Sequence, residues 1–165
     1  MKLNRTILLA VAALGVFSSC HFDKHEDILF DTPFATVSDA TKTMTKMYVD
    51  PDANNLLTEL TISICVSNTY NSEPIIVSYE LIPGDGLKEG VDYKVQPSTK
   101  SPVTFKPGTY DMPVRLIWMK NAAYDPEKDN TLTVRLTESS ISQMVLGSPG
   151  EANGRREFIF IKQYV

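Results

Sequence analysis

The side chains with the most chemical capacity in this 165-residue chain are two cysteines, two histidines and a few tyrosines placed beside amides or carboxylates. His21, Asp23, His25 and Asp27 alternate along one stretch and are all metal-ligand types. A stretch with no period of two or 3.6 would hold them loosely, so a solvated, charged leash is the expectation there. Cys65 lies inside an alternating run and reads as a small buried hydrophobe. Both histidines lie far away in sequence, which leaves that thiol without a base. No serine has a His/Asp set outside residues 21–25, no Gly-rich loop precedes a helix, and no zinc spacing occurs. No pair of carboxylates stands out from surface charge as an acid and base for glycoside cleavage. The expectation is therefore a protein that is not an enzyme. Tyr70 with Asn68 and Asn71, Tyr110 with Asp111, and Tyr124 with Asp125 fall at predicted loops. An exposed ring flanked by amides or carboxylates is what a sugar-binding surface requires, so these three are the candidate ligand-binding residues. Their competing role is to cover strand ends. Trp118 shares a register with Met112, Val114 and Leu116, which assigns it to the core.

Cys20 has a different context. Lys2 and Arg5 form a basic start, Ile7 to Phe17 is an apolar run broken only by Gly15, and Ser18-Ser19 precede the cysteine. A basic segment, an apolar segment and small residues before a cut describe a secretory signal. The eleven-residue run is too short to cross a bilayer, which takes about 20 apolar residues. The end of this segment resembles the lipobox of bacterial lipoproteins, with Phe17 where that pattern usually has leucine. The resemblance implies cleavage before Cys20 and acylation of that cysteine, palmitate among the chains. Each buried methylene contributes about 0.8 kcal/mol, and two or more chains anchor stably where one does not. Loss of residues 1–19 removes two basic residues and leaves 14 against 20 acidic ones, a charge near −6. Such a balance argues against nucleic acid and anionic lipid surfaces as partners. With Cys20 lipidated, Cys65 has no disulfide partner in the chain.

Residues 20–40 read as a polar, acidic tether with scattered aromatics, and a short docked piece is expected around Ile28 to Phe34. Asp23, Lys24, Glu26 and Asp27 resemble the export signal of surface lipoproteins in Bacteroidetes-type bacteria. That resemblance implies display on the outer face of the outer membrane, with the periplasmic face as the alternative.

Residues 41–165 carry β patterning throughout. Leu60, Ile62, Ile64 and Val66 alternate with Thr61, Ser63, Cys65 and Ser67, and Ile75, Val77, Tyr79 and Leu81 alternate in the next run. Short strands follow at Val91 to Val95 and Val103 to Phe105. Lys106-Pro107-Gly108-Thr109 predicts a type II turn from its Pro-Gly centre. Further strands are predicted at Met112 to Trp118, Leu132 to Leu136 and Glu157 to Lys162. A threonine-rich strand at about Lys42 to Val49 is placed at an edge, and Glu138 to Leu146 is expected to make at most one helical turn. Pro74, Pro102 and Pro113 are expected at strand starts or edges, where a missing N–H costs no ladder bond. The fold class is all-β, a single antiparallel immunoglobulin-like β-sandwich of seven or eight strands.

Within this domain, Glu89-Gly90-Val91-Asp92-Tyr93, Val103-Thr104-Phe105-Lys106-Pro107-Gly108 and Val114-Arg115-Leu116-Ile117 together resemble a Calx-beta-type sandwich. The resemblance spans about Leu56 to Lys162. It implies a calcium site in loops at one end, since Ca²⁺ takes six to eight oxygens. Asp125, Glu127 and Asp129 are then the candidate metal ligands. Lys120 and Asn121 stand where that family has paired aspartates, and Lys128 lies among the three acids, so a solvated hairpin loop is the competing expectation. The chain is also similar to domains of unknown function in Bacteroidetes-type lipoproteins that accompany glycan uptake. The functional expectation is a lipid-anchored accessory protein that binds glycan or outer-membrane uptake proteins. The alternative is a structural or adhesion module with no small-molecule ligand.

Overall fold

The computed structural model describes residues 32–39, 44–49, 55–67, 70, 72–149 and 154–164. Cys20, the signal segment and the alternating His/Asp stretch lie outside the described residues, as do Asn68 and Asn71. The strands in chain order are β1 (Phe34–Ser38), β2 (Met44–Val49), β3 (Leu56–Cys65), β4 (Ile75–Pro83), β5 (Tyr93–Val95), β6 (Val103–Phe105), β7 (Asp111–Trp118), β8 (Thr131–Ser139), β9 (Val145–Leu146) and β10 (Glu157–Tyr164). A 3₁₀ turn, Pro97–Thr99, joins β5 to β6. Two five-stranded sheets form a β-sandwich, one in the order β5-β7-β3-β1-β9 and the other β2-β10-β8-β4-β6.

Period-two alternation explains which side chains face inward. Leu60 and Ile62 of β3, Val114, Leu116 and Trp118 of β7, Leu132, Val134 and Leu136 of β8, and Phe158 and Phe160 of β10 are buried in one cluster. Trp118 meets Phe160 edge-on at 5.5 Å between ring centroids and lies 6.1 Å from Tyr93. The contact with Phe160 ties the two sheets together, because Trp118 belongs to one and Phe160 to the other, while Tyr93 flanks Trp118 within its own sheet. Burial of Tyr79 pushes its phenol up to about 12. It therefore stays protonated and donates to the Thr99 carbonyl at 2.7 Å.

Several expectations hold at the level of single residues. Trp118 is wholly buried. Gly108 has φ +81°, and the Thr109 N–H donates to the Lys106 carbonyl at 2.8 Å, which makes the predicted type II turn. Strand β2 is an edge strand. Pro113 lies within β7, but β5 pairs only with Leu116 to Trp118, so Pro113 faces no β5 partner.

Other expectations need correction. The sandwich is not purely antiparallel: β1 pairs with β9, and β10 with β2, in parallel. Ten strands are present among the described residues, because short strands leave little alternation to read. The tether does not run to residue 40. Phe34–Ser38 is the strand between β3 and β9, with Ala35 and Val37 fully buried. Only five residues long, it offers two inward apolar side chains, too few to stand out from a linker. The helical turn expected at Glu138 to Leu146 is replaced by the end of β8, a turn and β9. There the Val145 N–H finds the Pro33 carbonyl at 2.8 Å, a long-range bond that no local propensity encodes.

Candidate functional site

The β3–β4 connection and the segment after β8 enclose a cleft of about 320 Å³ lined by Tyr70, Ser72, Glu73, Pro74, Ile75, Ser140 and Ile141. Its floor is set by the sheet. The Ile76 N–H donates to Ser140 Oγ at 3.0 Å, while the Ser140 N–H donates to the Ile76 carbonyl at 2.9 Å. Tyr70 packs against the core, and its hydroxyl donates to Gln143 Oε1 at 2.7 Å, so the ring is held from both sides. Glu73 and Ser72 form the exposed rim. A fixed aromatic wall facing a carboxylate and two hydroxyl groups can stack on an apolar sugar face and bond its hydroxyls. The volume is at the lower end of small-molecule sites, about 300–1,000 Å³.

The three predicted tyrosines do not form one surface. Tyr70 lines the cleft at the end of β8, where Ser140 follows the strand. Tyr124 is near the other end of β8, about 30 Å away for a nine-residue strand. Its ring meets that of Tyr164 at a 60° tilt, 4.4 Å between centroids, and its hydroxyl donates to the Lys162 carbonyl at 3.3 Å. Burial, then the neighbouring Tyr164 and Asp125, push the Tyr124 phenol up. Tyr124 therefore covers a strand end. Tyr110 is exposed and precedes β7, where its carbonyl accepts from the Ile64 N–H at 2.8 Å. It is not part of the cleft lining.

The calcium candidates do not fit a metal site. Asp125 Oδ1 accepts from the Glu127 N–H at 3.0 Å, and Asp129 Oδ1 from the Thr131 N–H at 3.1 Å. These carboxylates brace their own turns, and Glu127 is exposed. Among the described residues no three His, Cys, Asp or Glu side chains converge on a point that would hold a metal.

The tertiary structure instead gathers a polar centre that the sequence reading missed. Lys162 occupies the inward position after Phe158 and Phe160 on β10 and has no exposed surface. Its Nζ donates to Asp92 Oδ1 at 2.8 Å and to the Met119 carbonyl at 2.9 Å. Asp92 Oδ1 also accepts from Asn121 Nδ2 at 3.0 Å, and Oδ2 accepts from the Lys88 N–H at 2.9 Å. Tyr164 holds the Asn121 backbone at both its N–H and its carbonyl. The parity of Phe-Ile-Phe-Ile-Lys was the available signal, since it places the lysine on the buried face.

Burial pushes the Asp92 carboxyl up, but hydrogen bonds from Lys162, Asn121 and Lys88 outweigh it and hold it below the usual carboxylate range. A carboxyl lowered on folding contributes stability above its unfolded value of about 3.9, and that contribution is lost as pH falls through the folded value. Thermal melts should therefore show little change from this group between pH 7 and about pH 5, then a fall in Tm below about pH 4. Asp92→Asn should flatten that acid limb. An unchanged limb in the variant would place the acid sensitivity elsewhere.

No family model matches the chain, and no curated protein does. Among solved structures, the chain is similar to a Calx-beta domain, CBD12 from CALX1.2, with TM-score 0.50 and 16% identity. That match covers 72% of this chain and 41% of the other. It is also similar to a two-domain protein of unknown function from Bacteroides fragilis, with TM-score 0.53 and 14% identity over 81% of this chain and 46% of the other. The chain thus spans less than half the length of either structure. At these identities the likeness is one of fold, and the fold is a Calx-beta-like β-sandwich.

Proposed function

We propose that this chain is a non-enzymatic, lipid-anchored envelope protein that captures a glycan end in the Tyr70 cleft. The observation that carries the reading is the cleft itself: a ring immobilised by the core and by Gln143, facing Glu73, Ser72 and Ser140. The sequence around Cys20 supports the anchor, and the acidic residues after it support display on the outer face of the outer membrane. In this reading the sandwich is immunoglobulin-like, a rigid support that presents loops at its ends.

The test is gel retardation of a soluble chain from residue 21 by a panel of polysaccharides, with Tyr70→Ala alongside. Retardation by at least one glycan, weakened about tenfold or more in the variant, is expected for a stacked anchor residue. Tyr124→Ala should leave the retardation unchanged. No retardation by any glycan, or retardation indifferent to Tyr70→Ala, would remove the cleft from consideration. Protease treatment of intact cells, with a periplasmic control protected, tests the outward face.

A second reading rests on strand β2. It forms the edge of its sheet, paired with β10 on one side and with no strand on the other among the described residues. Such an edge can accept a strand from a protein partner. A partner bound this way would compete with a peptide copy of that partner's strand and would be indifferent to Tyr70→Ala.

A further inference from the structure

The groups around Lys162 form more than an ion pair. The amine of Lys162 and the side-chain amide nitrogen of Asn121 are held on the same oxygen, Asp92 Oδ1, at 2.8 Å and 3.0 Å. The amide's other end is also engaged: the Ala123 N–H donates to Asn121 Oδ1 at 2.9 Å. An amine, a polarised amide carbonyl and a carboxylate touching both nitrogens are the parts of an acyl transfer. Lysine becomes a nucleophile when it is desolvated, and Lys162 is the most completely buried polar side chain described, at 0% exposure.

We propose that Lys162 and Asn121 are the site of a self-catalysed isopeptide cross-link, with Asp92 as the proton shuttle. The ammonium of Lys162 first passes a proton to Asp92 across their 2.8 Å hydrogen bond. At rest the hydrogen bonds to Asp92 outweigh its burial and favour the charged pair, so the neutral pair is the minor form. Because the reaction runs once per chain, a small population of free amine is enough. Nζ then attacks Cγ of Asn121, and the oxyanion on Oδ1 is stabilised by the Ala123 N–H, a donor already in place. Asp92 gives its proton to Nδ2 and takes one from Nζ. The Cγ–Nδ2 bond breaks, an Nζ–Cγ amide remains, and ammonia departs on the side where Asn121 is part-exposed. Ammonia leaving as ammonium carries away the proton that Lys162 began with and returns Asp92 to a carboxylate. No oxidant, metal or cofactor enters the balance.

The bond would join β10 to the loop after β7, that is, one sheet to the other. Mass spectrometry of the purified full chain decides the matter. The cross-linked protein weighs about 17 Da less than its processed sequence, the mass of one ammonia. Trypsin cannot cut at an acylated lysine, so digestion should yield residues 157–165 joined to residues 121–128. Lys162→Arg should restore the full mass. A folded wild-type chain at full mass, releasing residues 157–162 as a free peptide, would overturn the proposal. A 17 Da deficit that persists in Lys162→Arg would overturn it too, since that signals succinimide formation at an asparagine. Asp92→Asn should retain the full mass while its circular dichroism spectrum remains that of a β protein. Full conversion in that variant would remove the shuttle role.

Discussion

Replacing Asp92 with alanine is expected to lower the free energy of unfolding by about 3–5 kcal/mol, measured by urea or guanidinium denaturation. The cost comes from what is left behind. Lys162 would lose its counter-ion at a position with no access to water, keeping only the Met119 carbonyl and the face of the Tyr164 ring, 5.4 Å from Nζ. Asn121 and the Lys88 N–H would lose an acceptor as well. The backbone carbonyl of Asp92, which accepts from the Met119 N–H at 2.9 Å, is untouched by the substitution, so the loss comes from the side chain alone. The double variant Asp92→Ala, Lys162→Met should recover much of the loss, because a buried ion pair exchanged for apolar groups is often neutral or stabilising. A single variant costing less than about 1 kcal/mol would mean that the pair is solvated in solution. Any contribution of the cross-link acts in the same direction, since loss of the shuttle would also prevent the bond.

Trp118→Ala should be comparably damaging, at about 3–5 kcal/mol. The indole is fully buried, lies between Tyr93 and Phe160, and its Nε1–H donates to Thr58 Oγ1 at 2.8 Å. Removing it opens a cavity between the sheets that the rigid rings on either side cannot fill. Trp118→Phe should cost less, since it keeps an aromatic group in the gap and gives up one hydrogen bond and part of the packing. Equilibrium denaturation of the two variants gives the comparison. Equal losses for Ala and Phe would mean that the hydrogen bond to Thr58, rather than cavity formation, dominates.

Asp92 and Trp118 illustrate how differently residues announce their roles. Trp118 could be placed from the sequence because it continues the Met112, Val114, Leu116 parity, and a period of two is a local property of an extended chain. For the same reason β3, β4, β8 and β10 were legible, and so was the Pro107-Gly108 turn, where only glycine takes φ +81° without strain. The likeness of the Gly90 to Tyr93 corner and the Val103 to Gly108 run to a Calx-beta sandwich was visible at the same level.

Local alternation therefore settles the all-β class, most of the strands and the inward face of each. Which loops meet depends on how the two sheets pack. Asp92, Asn121 and Lys162 are separated by 29 and 41 positions, and each alone resembles ordinary surface polarity. They converge because β7 lies beside β5 in one sheet and β10 covers that end from the other. Tyr70 and Tyr124 look alike as loop tyrosines, yet one walls a cleft and the other caps a strand. The strand β1 was hidden for a related reason: its two buried side chains gain their meaning from β3 and β9, not from each other. Alternation is written in neighbouring residues, whereas pairing and convergence depend on contacts between residues far apart along the chain, which local pattern does not encode.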